Sequence, residues 1–301
     1  MISSLDPSSV SFLNGLNIIQ RRSQRAQLEL TTGLKINAVE DSPSDIPQLL
    51  QTQSAINRSE QIASNLTQVK LEVDTGEGSL SSAVTLLQQA QTLGTQGQSG
   101  FLSAASRQQI SGQLDDVLKQ LVGIANTSVS GRFIFAGDSD QTTPYKLDLT
   151  QPAPVSAYQG SASTRQVEHP DGTLFAVAKT AQQIFDSADP TQNVFQTVNN
   201  LRTALTNNDQ TGINAALGGL QTASTYLNTQ LTFYGGAQNR VADGISTGAT
   251  LTTQLKTRLS GLQDADATQA ITEFQQASIQ QQAALASRAK IPRSSLFDYL
   301  G

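Results

Sequence analysis

The residues of this chain that could carry chemistry are few, and His169 is the first of them. It is the only histidine in the sequence, and it directly precedes Pro170 in a predicted hairpin. A Ser-His-Asp triad built on His169 would also need a serine in the context of a nucleophile, and nothing in the sequence supplies that context. We therefore interpret His169 as a surface turn residue. We predict no catalytic residues and do not expect an enzyme.

Two acidic pairs and one glycine pair could bind ions or phosphate. Asp138 with Asp140, and Asp264 with Asp266, suggest calcium, but neither pair continues into the spaced acidic loop with its later Glu. Turn or helix-start roles are expected for them. The glycine pair is Gly76 and Gly78. It lies on a predicted helix and lacks the strand–loop–helix setting of a phosphate loop. With no cysteine in the chain, we expect no thiolate metal site, no bound metal and no cofactor.

The element that organises the chain is a heptad seam over residues 213–262. Its positions, in alternating steps of four and three, are Ile213, Leu217, Leu220, Ser224, Leu227, Leu231, Tyr234, Gln238, Val241, Ile245, Gly248, Thr252, Leu255, Leu259 and Leu262. The pattern predicts a helix, or two stacked helices, on the order of 75 Å long. A kink or break is expected near the glycines at 235, 236, 244 and 248. Because so narrow a stripe cannot be buried alone, other long helices must lie alongside.

Four further seams predict those partner helices. The first runs from Leu5 to Leu30 and is stopped at Gly33, a residue suited to the position after a helix end. The second begins after Asp45 and continues to the glycines at 94–100, and a shorter one follows and ends before Gly131. The last helix carries residues 270–291, where Gln281 and Arg288 fall on or beside the seam and could fix register.

The period changes between residues 131 and 185, where alternating apolar residues predict strands. Asp171-Gly172 is a strong signal for a tight hairpin. Asp189-Pro190 is expected to open the next helix, with Asp189 as its N-cap. We therefore predict a mainly α fold: an elongated rod of long antiparallel coiled-coil helices from both termini, with a small β-rich domain inserted in mid-chain.

Three domains follow from this pattern. Residues 1–44 with 250–301 form a terminal coiled-coil assembly domain, residues 45–130 with 190–249 form a helical rod domain, and residues 131–189 form a β-rich outer insert. Aromatic residues make up 5% of the chain and there is no Trp, which suits helices buried along seams rather than a large globular core. Charged residues make up only 14%, so surfaces destined to touch other protein are expected.

Composition also excludes several classes of partner. A net charge of −5 argues against nucleic acid, and the cluster of Arg21, Arg22 and Arg25 is interpreted as a solvated helix face. No apolar run approaches the roughly 20 residues that span a bilayer, so membrane insertion is not expected. Residues 1–12 lack the apolar core of a cleaved secretory signal.

Five segments, taken together, resemble the bacterial flagellin family. They are residues 30–37 followed by Asp41-Ser42-Pro43, residues 131–137, residues 235–241, residues 262–267 with Ala270, and residues 295–300. Within the family, the second and the last are similar to the members that join the flagellar hook to the filament. The helix near residues 87–96 has glutamines where many filament flagellins carry an arginine-rich pattern, which agrees with the junction members.

The resemblance implies a structural role outside the cell. Family members leave through the flagellar type III apparatus without a cleaved signal, and their terminal helices fold only in the assembled tube. The implied partners are further copies, the first hook-associated junction protein, flagellin and an export chaperone. The expected assembly interface consists of Phe12, Leu16, Ile19, Ala26, Leu30, Ile271, Phe274, Leu285, Leu296, Phe297 and Tyr299.

Three alternatives stay open from sequence. The chain could be a filament flagellin rather than a junction subunit, or a secreted coiled-coil adhesin or effector whose function lies in the β-rich insert. The apolar stripes could also simply pack in a soluble bundle.

Overall fold

Helices make up most of the chain because the heptad seams fold as continuous helices. The computed structural model describes residues 7–289. Its helices are α1 (Pro7–Thr32), α2 (Ile46–Gly97), α3 (Ala104–Ala125), α4 (Ala181–Phe185), α5 (Val194–Thr206), α6 (Gln210–Gln263) and α7 (Ala267–Ala289). One turn of 3-10 helix at Val39–Asp41 precedes α2. The predicted mainly α fold class with a small β-rich region is confirmed.

Helix α6 follows the predicted seam. Buried residues recur along it every seven positions, at Ile213, Leu220, Leu227, Tyr234, Val241 and Gly248. The helix is continuous through its glycines, so a break near them is wrong, while the kink expected there as the alternative stays a prediction. The reason is visible at Gly244, where a Cβ atom would lie 2.8 Å from the Leu66 side chain. The missing side chain there serves close helix packing and does not interrupt the helix.

The β-rich region contains two short antiparallel hairpins. Strands β1 (Ser128–Val129) and β2 (Arg132–Phe133) form one, and β3 (Gln166–Glu168) and β4 (Leu174–Ala176) form the other. The second confirms the hairpin predicted at Asp171-Gly172. The first turns through Ser130 and Gly131, which both have positive φ as a tight two-residue hairpin turn requires.

Elsewhere in this region the predicted strands are largely wrong. Residues 145–149 make only an isolated bridge, between Leu147 and Val155. Tyr145 and Phe135 are instead fully buried in an aromatic cluster, where Phe135 meets the rings of Phe185 and Tyr234 at centroid distances of 6.2 and 6.1 Å. Alternation in these residues reflects ring burial rather than strand pairing.

The helix start predicted at Asp189 is also wrong. Its carboxylate accepts hydrogen bonds from the backbone N–H and the hydroxyl of Thr191, which closes a turn ahead of the helix. Asn193 is the residue that caps α5, since its side-chain oxygen accepts the N–H of Gln196 at 2.9 Å.

The chain divides into two compact units. The first consists of Met1–Arg58 with Thr252–Gly301, and the second of Ser59–Leu251. The second unit contains the extended core, whose largest fully buried side chains include Tyr145, Tyr234, Phe135, Phe185 and Leu66. The three-domain division, with boundaries at 44, 130, 189 and 249, stays a prediction.

Candidate assembly surface

Helices α1 and α7 of the first unit pack against each other as an antiparallel pair. Arg22 forms an ion pair with Glu273 at 2.7 Å, while Arg288 donates to the Ser9 hydroxyl and lies over the Phe12 ring, 5.5 Å from its centroid. Residue numbers therefore increase along α1 in the direction in which they decrease along α7. Arg288, expected to fix register from the sequence, makes the contacts that do so.

This register places small residues of α7 against α1. It places Ile19 level with Ala277 and Ala26 level with Ala270, and these three alanines are buried. Phe12, Leu16 and Ile19 are half-buried. Alanine on one helix lets the other approach closely, so larger α1 side chains can lie against the α7 backbone. The interface predicted from the sequence did not include Ala270 and Ala277, although their spacing of seven residues was available.

A second apolar stripe on α7 lies beside the alanines and is open. Ile271, Phe274 and Leu285 are 46%, 37% and 50% exposed. Residues 271 and 285 are each one position beyond 270 and 284, so this stripe is rotated from the alanine stripe by about 100°. Further large apolar residues are exposed on the same two helices, namely Val10, Leu13, Ile18, Leu28, Leu30 and Ile279.

The predicted interface residues therefore fall into three groups. Phe12, Leu16, Ile19 and Ala26 lie on the side of α1 that packs on α7. Leu30, Ile271, Phe274 and Leu285 are exposed. Leu296, Phe297 and Tyr299 lie outside the described residues, and the role of all eleven in assembly stays a prediction.

The turns that join this pair to the long helices are hydrogen-bonded to each other. Lys35 N–H donates to the Gln263 carbonyl, and Ala265 N–H donates to the Gly33 carbonyl, each at 2.8 Å. Gly33 has a φ of 72°, so the predicted stop of α1 is confirmed. Asp266 begins α7, where its carboxylate accepts the N–H groups of Thr268 and Gln269. The two connecting segments are thereby held together.

A carboxylate stabilises the segment that follows Gly33. Asp41 accepts the backbone N–H groups of Asn37 and Ala38, each at 2.8 Å. These two hydrogen bonds lower the pKa of Asp41 below its ordinary value, because they favour the charged form.

The charges around the pair are mixed and exposed. Arg22 and Arg25 pair with Glu273 and Glu29, and a cleft of about 520 Å³ is lined by these groups together with Lys35 and two aspartates. Exposed ion pairs contribute about 0–1 kcal/mol each. These ion pairs therefore contribute more to the register of α1 against α7 than to the stability of the pair.

His169, the first residue considered for chemistry, has a structural role in the second unit. The His169 ring is not at the surface, as its side chain is only 12% exposed and packs beside Gly244 of α6. Its Nδ1 lies 3.0 Å from an Asp171 oxygen and its Nε2 lies 3.4 Å from an Asp243 oxygen. The sequence predicted a turn at His169, but it could not predict the close packing of the His169 ring on α6 that Gly244 permits.

Among residues 7–289, no three or more His, Cys, Asp or Glu side chains are grouped as metal binding requires. Within that range, no helix combines the length and apolar character needed to cross a bilayer. Asp140 pairs with Arg132 and Gly76 packs under the Tyr234 ring.

Fold and surface together define a mainly α protein whose N- and C-terminal helices pair antiparallel. The family models give the same class independently. The bacterial flagellin N-terminal helical region matches residues 4–140, and the bacterial flagellin C-terminal helical region matches residues 217–300. The chain belongs to the flagellin family.

Individual relatives are distant. Flagellar hook-associated protein 3 of Escherichia coli (strain K12) is 24% identical over 176 residues, which are 58% of this chain and 54% of the relative. The match thus spans about half the length of that curated relative.

Solved structures share the fold. A flagellar hook-associated protein from Vibrio parahaemolyticus has a TM-score of 0.65 at 18% identity, covering 74% of this chain and 100% of its own. Flagellar hook associated protein-3 from Legionella pneumophila has a TM-score of 0.63 at 15% identity, covering 70% and 98%.

Proposed function

We propose that this chain is a structural subunit of the bacterial flagellum that joins the hook to the filament. Its membership of the flagellin family supports the flagellar role. The junction position is supported by the likeness to flagellar hook-associated protein 3 and by the segments 131–137 and 295–300.

The observation that carries the proposal is the open stripe of Ile271, Phe274 and Leu285 beside an already occupied seam. Burying such a side chain fully is worth about 1.5–3 kcal/mol. A helix with two adjacent heptad stripes can pack against two partners at once, so α7 pairs with α1 of its own chain and with a neighbouring subunit.

The proposed mechanism is folding on assembly. The seam between α1 and α7 buries mainly alanine, so the pair gains little apolar burial to offset the entropy of ordering two helices. Neighbouring subunits supply the missing burial. The proposed neighbours are further copies, the first hook-associated junction protein and flagellin, with a chaperone that holds the chain before export.

The same proposal includes the route to that place. The chain leaves the cell through the flagellar export apparatus without a cleaved signal peptide and functions outside it. A sequence without cysteine suits passage in an unfolded state, because no disulfide can trap it.

Immunogold labelling of flagellated cells tests the position, with cells deleted for the chain as the control. We expect a discrete label between hook and filament. Label along the whole filament would identify a filament flagellin. Label elsewhere on the cell surface would contradict the flagellar role and direct attention to the β-rich insert.

A further inference from the structure

One peptide bond inside α1 joins an exposed asparagine to a glycine. The pair is Asn14-Gly15, and no other asparagine of the chain is followed by glycine. The main-chain nitrogen that follows an asparagine is a nucleophile placed one ring-closure away from the side-chain amide. Glycine leaves that nitrogen unshielded, because it has no side chain. These two residues therefore form a candidate site of deamidation.

Packing among the described residues does not require glycine at this position. A Cβ built at Gly15 would meet nothing within 4 Å, unlike the one built at Gly244. Glycine inside a helix costs roughly 1 kcal/mol against alanine. Gly15 therefore weakens α1 without a packing gain from the described chain, and it does so at the bond where attack would occur.

The helix itself holds the reaction back. In an α-helix the N–H of Gly15 donates to the carbonyl of Ser11, four residues earlier, and the helical backbone angle of Asn14 keeps the attacking nitrogen out of line with the side-chain carbon. Attack requires α1 to open around this bond. The seam between α1 and α7 buries mainly alanine, so opening costs little in a chain without neighbours.

We propose that Asn14 deamidates in the unassembled chain and that assembly into the flagellum protects it. The inference rests on the proposed function, because neighbouring subunits are what hold α1 closed. It adds to that function a covalent modification that limits how long a free chain stays fit to assemble.

The reaction needs only water. The main-chain nitrogen of Gly15 bonds to Cγ of Asn14, the bond from Cγ to Nδ2 breaks, and ammonia leaves with the proton that the Gly15 nitrogen gives up. Water then opens the five-membered imide. Addition at Cγ gives aspartate, and addition at the main-chain carbonyl carbon gives isoaspartate, whose backbone runs through the former side chain. Nothing is oxidised or reduced.

Isoaspartate at this site would interrupt α1. It adds a carbon atom to the main chain, so the residues before and after it no longer share one helical phase. Phe12 contacts Arg288 on one side of the site, and Arg22 pairs with Glu273 on the other. The two contacts need a continuous helix between them, so the modified chain cannot form both in the described register.

Peptide mass spectrometry tests the proposal on the natural full chain in three samples incubated at the same mildly alkaline pH. They are the free chain, the chain unfolded in guanidinium chloride and the chain in isolated flagella. We expect Asn14 to convert in the free chain at nearly the unfolded rate. In flagella it should convert at least about tenfold more slowly, which corresponds to about 1.4 kcal/mol of added cost of opening.

An internal control and two variants identify the reaction. Asn17 is exposed on the same helix but is followed by isoleucine, so it should stay unchanged in all three samples. Asn14→Gln should not convert, because its ring closure would need a six-membered imide. Gly15→Ala should convert more slowly even when unfolded, because its methyl group shields the nitrogen.

The outcomes distinguish the two proposals. A free natural chain that converts as slowly as the chain in flagella would overturn the modification, and equal, fast conversion in both would overturn its protection by assembly. Either result leaves the flagellar role standing. Absence of the natural chain from flagella would overturn the flagellar role together with that protection.

Discussion

At the scale of single residues, two glycines of α2 show why positions close in sequence differ in whether they can accept a larger side chain. A Cβ built at Gly76 would lie 2.6 Å from Cε1 of Tyr234, whereas one built at Gly78 meets nothing within 4 Å. Tyr234 is buried, and its hydroxyl accepts the backbone N–H of Lys179, so the ring cannot move freely.

Alanine substitutions at the two glycines should therefore have opposite effects. Gly78→Ala should raise the free energy of unfolding by about 0.5–1 kcal/mol through helix propensity. Gly76→Ala should lower it by about 1–3 kcal/mol, because overpacking outweighs the same propensity gain. Urea denaturation of the full chain measures both. Equal changes in the two variants would contradict the described packing at Tyr234.

A repeated local motif contributes to the expected response to acid. In Asp148-Leu149-Thr150, Asp171-Gly172-Thr173 and Asp189-Pro190-Thr191, the carboxylate accepts the threonine hydroxyl and N–H. These hydrogen bonds lower the pKa of each of the three aspartates below 3.8, its ordinary value.

The pH dependence of stability follows from the sign of these shifts. A carboxyl whose pKa is lowered on folding contributes stability above the unfolded value, and that contribution is lost as pH falls through the folded value. Unfolding midpoints should be flat from neutral pH to about 4 and fall below it. The triple variant Asp148→Asn/Asp171→Asn/Asp189→Asn should show a shallower fall, and an unchanged slope would rule these turns out as its source.

The roles of single residues were the feature that the sequence predicted least well. The sequence marked Arg288 as a register residue because it fell on a heptad seam. Nothing local marked Arg107 or the burial of His169, because their partners lie 101 and 74 residues away, at Asn208 and Asp243. Long-range hydrogen bonds and close approach at Gly244 are properties of the folded chain.

At the scale of elements, α7 is distinguished by its two stripes. The heptad spacing predicted the helix, but it could not decide which stripe packs on α1. Alanines at 270 and 277 carry less hydrophobicity than Ile271 and Phe274, so pattern alone favoured the residues that the structure leaves exposed. Close approach of helices favours the smaller residues.

Substitutions in the two stripes should separate folding from assembly. Ile271→Ser/Leu285→Ser should change the stability of the free chain by at most about 0.5 kcal/mol per site, because both side chains are half exposed, yet should prevent incorporation into flagella. Ala277→Leu should disturb the α1–α7 pair itself. Circular dichroism of the free chain and blotting of isolated flagella measure the two effects. Normal incorporation of the double variant would contradict the assembly role of the open stripe.

Element boundaries were predictable where the chemistry is strong and local. Gly33 and Asp171-Gly172 marked a helix end and a hairpin correctly. The prediction at Asp189 was wrong because aspartate is equally suited to an N-cap and to an Asp-x-Thr turn. Here it forms the turn, and Asn193 caps the helix that follows. The turn at Ser130-Gly131 was missed, since serine is an unusual residue for positive φ.

At the scale of the whole molecule, the two units differ in what they bury. The core of the second unit contains alanines too, but most of its buried residues are larger aliphatic and aromatic side chains. The terminal pair of the first unit buries Ala26, Ala270 and Ala277, and its larger residues are half-buried or exposed. Since apolar burial must offset chain entropy, the second unit should fold alone, and the pair should need neighbours.

Hydrogen exchange measured by mass spectrometry, on the free full-length chain and on the chain in isolated flagella, tests this central claim most directly. We predict fast exchange of the α1 and α7 amides in the free chain and strong protection in flagella, with α3 and α5 of the second unit protected in both states. Equal and strong protection of α1 and α7 in both states would contradict the account, because the terminal pair would then be complete without a neighbour.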